Sequence, residues 1–294
     1  MATKMITLTA AHKKAGIVAI YSRNYNGSFT CEVDLRKVDI DNTDANPRRF
    51  SAQHLRKINH NFNRLVVRNP TLWLRKGIIS TIDGRHTTNL LLDVIASNDT
   101  TKPIIMSCEV FFNITAKEAN IIFLERAVNN KRISPWDAHI CGLRAEYPIN
   151  IKIQEILDKH SLKCPNDAGY NARSADVTAF DVLKEACLAG GQLLERLCHV
   201  LNHVYRDIDG RVEKSARQYN FVGGLLDLLH TENYKTWTVD NIVRCLMRRD
   251  ANWIYKEALA SVQDSGCGSD RPARPHYLNA FIKAMELGTR QKAA

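Results

Sequence analysis

The chain has 294 residues, 45% of them hydrophobic and 24% charged, with a net charge of +10. That length allows one large domain or two ordinary ones, and the balance is that of a globular protein. No apolar run approaches the ~18 residues a membrane-spanning helix needs.

Residues 1–14 read as a loose, weakly basic arm without the hydrophobic centre of a signal peptide, so the expected location is the cytoplasm. The cysteines (Cys31, Cys108, Cys141, Cys164, Cys187, Cys198, Cys245, Cys267) are scattered and form no C-x-x-C. They are expected as buried thiols rather than disulfides or zinc ligands. Cys187 and Cys198 would lie on nearly the same face of one helix.

Gly16 to Tyr21 and Phe29 to Val33 flank a polar segment containing Asn26-Gly27, which predicts a β-hairpin. Leu35–Asp44 can form a short strand running into a loop. Ser51 is placed to cap a helix of Ala52 to about Asn61, with Leu55, Ile58 and Phe62 on one side. Leu65–Val67 and Leu72–Leu74 read as short strands around Asn69-Pro70. Between Ala45 and Ile82 there is no Asp or Glu, while Arg48, Arg49, Arg56, Lys57, Arg64, Arg68, Arg75 and Lys76 carry +8. So one-sided a run favours a polyanionic partner such as DNA or RNA, against the alternative of a solvated face.

Ile78 to Leu92 follows: a β-branched run, an Asp83-Gly84 pair, then apolar residues at helical spacing. This predicts a strand turning tightly into a helix. Gly84 lets the backbone come close, and a helix start presents N–H groups to an anion, with Arg85 and His86 beside it. The competing reading is that Asp83 only caps the helix and Gly84 only makes the turn. Lys102–Phe112 is strand-like. Thr115-Ala116-Lys117-Glu118 is a capping box for a helix to about Val128, and Ser134-Pro135 starts another. Trp73 and Trp136 can stack on a base or pack in the core. Glu118 and Glu125 read as capping and surface residues.

After Pro148 strand signals cease. Helices are expected over Ile149–His160, Asp176–Tyr205 with a break at Gly190-Gly191, Arg217–Leu229, Val239–Leu259 and Tyr277–Leu287. The fold class expected is α+β: an α/β domain over residues 15–147, then an all-helical domain over 148–294.

The order of these pieces resembles the ParB/sulfiredoxin superfamily, and more closely its phage and plasmid branch, whose signature is D-G-Q-H-R. Here the signature reads Asp83-Gly84-Arg85-His86-Thr87. Asn46-Pro47-Arg48-Arg49-Phe50, before the Ser51 helix, stands where the branch has a short Tyr-Gln-Arg-type motif leading into a helix. Asn129-Asn130-Lys131-Arg132, followed by Ser134-Pro135, stands where it has an Asn-containing helix end. The match spans roughly residues 30–145 and, loosely, the helical tail.

The resemblance implies a ParB/sulfiredoxin-like N-terminal domain with a phosphate cradle at the glycine turn. It also implies a nucleoside triphosphate with Mg²⁺ there, or nuclease or phosphotransfer chemistry. Asp83 and His86 would then be catalytic, handling a proton or metal. Arg48, Arg49, Arg56, Lys57, Gly84, Arg85, Thr87, Asn129, Asn130 and Arg132 would contact phosphate or nucleic acid. Three departures bear on this. Thr87 replaces the family arginine, and Arg85, ~200° away around the helix, cannot simply substitute for it. Val128 stands where triphosphate-binding relatives carry an acid. The sulfiredoxin cysteine is absent from the turn, which argues against sulfinic-acid repair. The alternative is a non-catalytic DNA-binding protein with a degenerate pocket, or a phage-type regulatory or anti-defence protein holding a host protein through its helical tail. Homo-oligomerisation is open, and a membrane partner is not expected.

Overall fold

Six strands form one mixed sheet: β1 (Ile17–Arg23), β2 (Phe29–Asp34), β3 (Val38–Asp39), β4 (Thr71–Arg75), β5 (Ile78–Asp83) and β6 (Ile105–Phe112). Their order is β1-β2-β6-β4-β5-β3, parallel at β6/β4 and β5/β3 and antiparallel elsewhere. The structure is a computed structural model that describes residues 6–42, 44, 69–96, 102–130, 134–165, 175–264 and 271–290, with only the backbone of 94–96 and 128–130. The helix expected at Ala52–Asn61 and the strand at Leu65–Val67 lie outside the described residues.

The chain divides into two compact units, Met1–Tyr147 and Pro148–Ala294. In the first, β1 and β2 form the expected hairpin. Asn26 closes its turn by accepting from the Ser28 N–H at 3.1 Å, and Gly27 takes φ +83°. Alternation along the central strands sorts side chains to two faces. Leu72, Leu74, Ile79, Cys108 and Val110 pack in one cluster with Leu35 and Leu91, the latter from helix α2 (Arg85–Ala96). Trp73, Ile82 and Phe111 pack in the other with Ala119 and Phe123 of α3 (Ala116–Asn130) and Cys141 of α4 (Pro135–Arg144). The sheet is therefore covered on both sides.

The α3 capping box forms as its residue types require: Glu118 Oε2 accepts from the Thr115 N–H at 2.7 Å, and Thr115 Oγ1 from the Glu118 N–H at 3.2 Å. Ser134 caps α4, with Pro135 in its first turn. One correction concerns the N-terminal arm. Its residues Ala10–Lys14 form a short helix, α1, capped by Thr9, and His12 stacks on Phe112 with ring centroids 5.1 Å apart.

The second unit is helical: α5 (Pro148–Lys159), α6 (Phe180–Ala189), α7 (Gly191–Val204), α8 (Tyr219–His230), α9 (Val239–Leu246), α10 (Ala251–Asp264) and α11 (Arg274–Arg290). Among its described residues there is no strand, only an isolated bridge between Arg206 and Val212. Gly190, at φ +140°, separates α6 from α7. Cys187 and Cys198 therefore sit on two helices, not on one face of a single helix, and both are buried.

The core runs along α8, where Phe221, Val222, Leu225, Leu228 and Leu229 are fully buried. Gly223 and Gly224 let α11 lie against it: a Cβ on Gly224 would stand 2.5 Å from Tyr277 Cβ. Arg274 of α11 ties three helices together. It donates to both oxygens of Glu185 on α6 at 2.8 Å and to both of Asp227 on α8 at 2.6 and 2.7 Å. Among the described residues no helix is long and apolar enough to cross a membrane.

Candidate functional site

The glycine turn is built by the end of β5. Thr71 pairs with Asp83 and Leu72 with Thr81, so Ile82 is an extra residue that kinks the strand as it leaves the sheet. Gly84 follows at φ +88°, a conformation that side chains disfavour. Its amide donates to the Asp83 carboxylate at 2.8 Å, and its carbonyl accepts the first helical bond from the Thr88 N–H, also at 2.8 Å. A Cβ here would meet Pro70 Cα at 3.1 Å, so the turn is pressed against the start of β4.

Gly84→Ala combines strain with that contact, and we expect it to cost about 1–3 kcal/mol. A thermal melt that moves by less than a degree would show that the turn relaxes freely.

Asp83, Gly84, Arg85, His86 and Thr87 come together as the start of α2, but Arg85 does not face outward. Only 7% exposed, it reaches Asp41, with Nη2 to Oδ1 at 3.3 Å. A cation in the first turn opposes the helix dipole, and Asp41 offsets that cost. The loop carrying Asp41 is itself braced. Asp39 Oδ1 accepts from the amides of Asp41 and Asn42, both at 3.1 Å, and Asn42 donates to Ser80 Oγ at 3.2 Å. The Asp44 carbonyl accepts from Asn120 of α3 at 2.7 Å. His86 and Thr87 are half-buried.

Arg48, Arg49, Arg56, Lys57 and Arg132 lie outside the described residues. Asn129 and Asn130 close α3, and their side chains are likewise not among those described. Trp73 and Trp136, weighed as base-stacking residues, are 1% and 6% exposed and belong to the core. The Trp73 indole donates to the Ile114 carbonyl at 3.1 Å.

Beside the turn stands a polar cluster that was not singled out from the residue pattern. Thr71 is opposite Asp83 on one side and Glu109 on the other. Glu109 accepts from Asn26 at 2.6 Å and Ser28 at 2.7 Å and forms a close ion pair with Arg126 of α3, which also donates to Thr71 Oγ1 at 2.5 Å. Burial alone would raise the Glu109 carboxyl. The hydrogen bonds from Asn26 and Ser28, with the Arg126 charge, bring it below the ordinary value instead. The available signal was a lone acid inside an otherwise apolar strand, which demands a cation.

The described part of the site is thus a polar row across Thr71, with Asp83 on one side and the Glu109–Arg126 pair on the other, and with the Arg85–Asp41 pair at the helix start. Among the described residues no group of three or more His, Cys, Asp or Glu side chains is placed to hold a metal ion. Compared with protein-family models, curated proteins and solved structures, the chain matches none.

Proposed function

We propose that the chain is a ParB-like protein that recognises phosphate and binds DNA. The observation that carries this is the acid-free stretch of charge +8 between Ala45 and Ile82, in a chain whose total is +10. The described residues at its two ends support the reading. The loop leading into the stretch holds Arg85 through Asp41, and Pro70 near its far end rests on Gly84. The helix N-terminus after Asp83-Gly84 is a place where phosphate oxygens are favoured. Binding is favoured over hydrolysis because the Asp83 carboxylate is engaged by its own turn and Arg85 is turned inward.

The test is fluorescence anisotropy of a labelled duplex across a salt series. If all eight cations meet phosphate, log K falls with log salt at a slope of about −7. Charge reversal at Arg48 and Arg49 would flatten that slope. Absence of binding at low salt, or salt-insensitive capture of a protein instead, overturns the proposal. Metal-dependent turnover lost in Asp83→Ala or His86→Ala would replace it with a nuclease or nucleoside triphosphatase.

A further inference from the structure

A cavity of about 640 Å³ opens in the helical unit, within the range of ~300–1,000 Å³ in which small-molecule sites fall. Trp237 and Thr238 line it from the loop before α9, Asn241 and Arg244 from α9 itself, Arg248 from just beyond its end, and Thr289 from α11. The two arginines are four residues apart, and the described lining carries no acid. Among the described residues no carboxylate pairs with Arg244, which donates to the Asn241 side-chain oxygen at 2.5 Å and the Asp240 carbonyl at 3.3 Å.

The walls are held in place by contacts outside the cavity. Arg196 of α7 donates to the carbonyls of Tyr234 and Lys235 at 2.9 Å and of Trp237 at 3.1 Å. Tyr234 meets the Trp237 ring edge-on, with centroids 5.3 Å apart. Gly288 lets α11 close on α9, since a Cβ there would stand 2.8 Å from the Cys245 carbonyl oxygen. A rim ordered before binding spares a ligand the entropy of ordering it.

We propose that this cavity binds a phosphorylated nucleoside, with phosphate between Arg244 and Arg248 and the base against Trp237. Two guanidinium groups suit the charge of a phosphate monoester, about −1.5 to −2, better than that of a single carboxylate. An indole face accepts any base. Thr238, Asn241 and Thr289 supply hydroxyl and amide groups for the sugar. A free nucleotide and the phosphorylated end of a strand share this chemistry.

The test titrates the full chain, by calorimetry, with AMP, adenosine, inorganic phosphate, and a short DNA strand bearing either a 5′-phosphate or a 5′-hydroxyl. AMP or the 5′-phosphorylated strand should bind at least about tenfold tighter than adenosine or phosphate alone. AMP binding assigns the free nucleotide; a preference for the phosphorylated over the hydroxyl strand, without AMP binding, assigns the strand end. Arg244→Ser with Arg248→Ser, both at exposed positions, should abolish that binding while leaving the melting temperature and the duplex binding proposed for the first unit unchanged. Trp237→Leu should weaken it about tenfold. The proposal falls if no phosphorylated ligand binds below about 1 mM. It also falls if phosphate alone binds as well as AMP, or if the double arginine variant binds like the parent.

Discussion

Glu109→Ala is expected to destabilise the sheet-containing unit by about 2–4 kcal/mol, seen as a fall of roughly 5–15 °C in its melting temperature. The side chain is 19% exposed and paired with Arg126, itself 30% exposed, so its loss leaves a half-buried cation without that partner. Asn26 and the fully buried Ser28 lose an acceptor at the same time. Glu109→Gln should cost nearly as much, because its amide would present a donor to Arg126.

The pH dependence has a definite sign. A carboxyl held below its ordinary value of 4.5 in the folded state stabilises above that value. The contribution disappears as pH falls through the folded value. The gap between parent and Glu109→Gln should therefore be full at neutral pH and close progressively below about 4.5. Replacing both partners with methionine should recover much of the loss, since the cost lies in stranding one charge. A constant gap down to pH 2 would refute the pairing as its source.

Gly224→Val is expected to cost the helical unit at least about 3 kcal/mol. The new Cβ would approach Tyr277 Cβ at 2.5 Å, the Leu278 amide nitrogen at 3.0 Å and the Tyr277 carbonyl carbon at 3.1 Å. The latter two are backbone atoms that can retreat only by moving the whole of α11. Gly223→Ala should be milder. It meets the Arg274 side chain at 2.8 Å, which can bend, although its guanidinium is tied to Glu185 and Asp227. Urea denaturation of both variants checks the order. Equal midpoints for Gly224→Val and the parent would mean that the two helices separate at little cost.

The elements legible in the residues were those decided by local chemistry. The Asn26-Gly27 hairpin, the Asp83-Gly84 turn, the Thr115–Glu118 box, the Ser134-Pro135 start and the break at Gly190 each depend on neighbours a few residues away. What was not legible depended on distant partners. β6 inserts between β2 and β4, and nothing local to Lys102–Phe112 specifies that. The insertion alone brings Glu109 to Asn26, 83 residues away. Arg85 read as a phosphate contact, and its burial was not legible because its reach to Asp41 spans 44 residues and a loop braced by its own side chains. The cavity beside Trp237 was invisible for the same reason: Thr289 and Trp237 become neighbours only when α11 folds back across α9.

The Arg196 clamp has a consequence of its own. Amide oxygens do not take up protons in the range where carboxylates do, and a cation held by peptide dipoles keeps its grip when ion pairs let go. Acid would therefore slacken the hold of Arg274 on α6 once Glu185, kept below its ordinary value by that guanidinium, is neutralised. The loop from Tyr234 to Trp237, which Arg196 grips through its main chain, would keep its shape further into that descent than the Arg274–Glu185 contact.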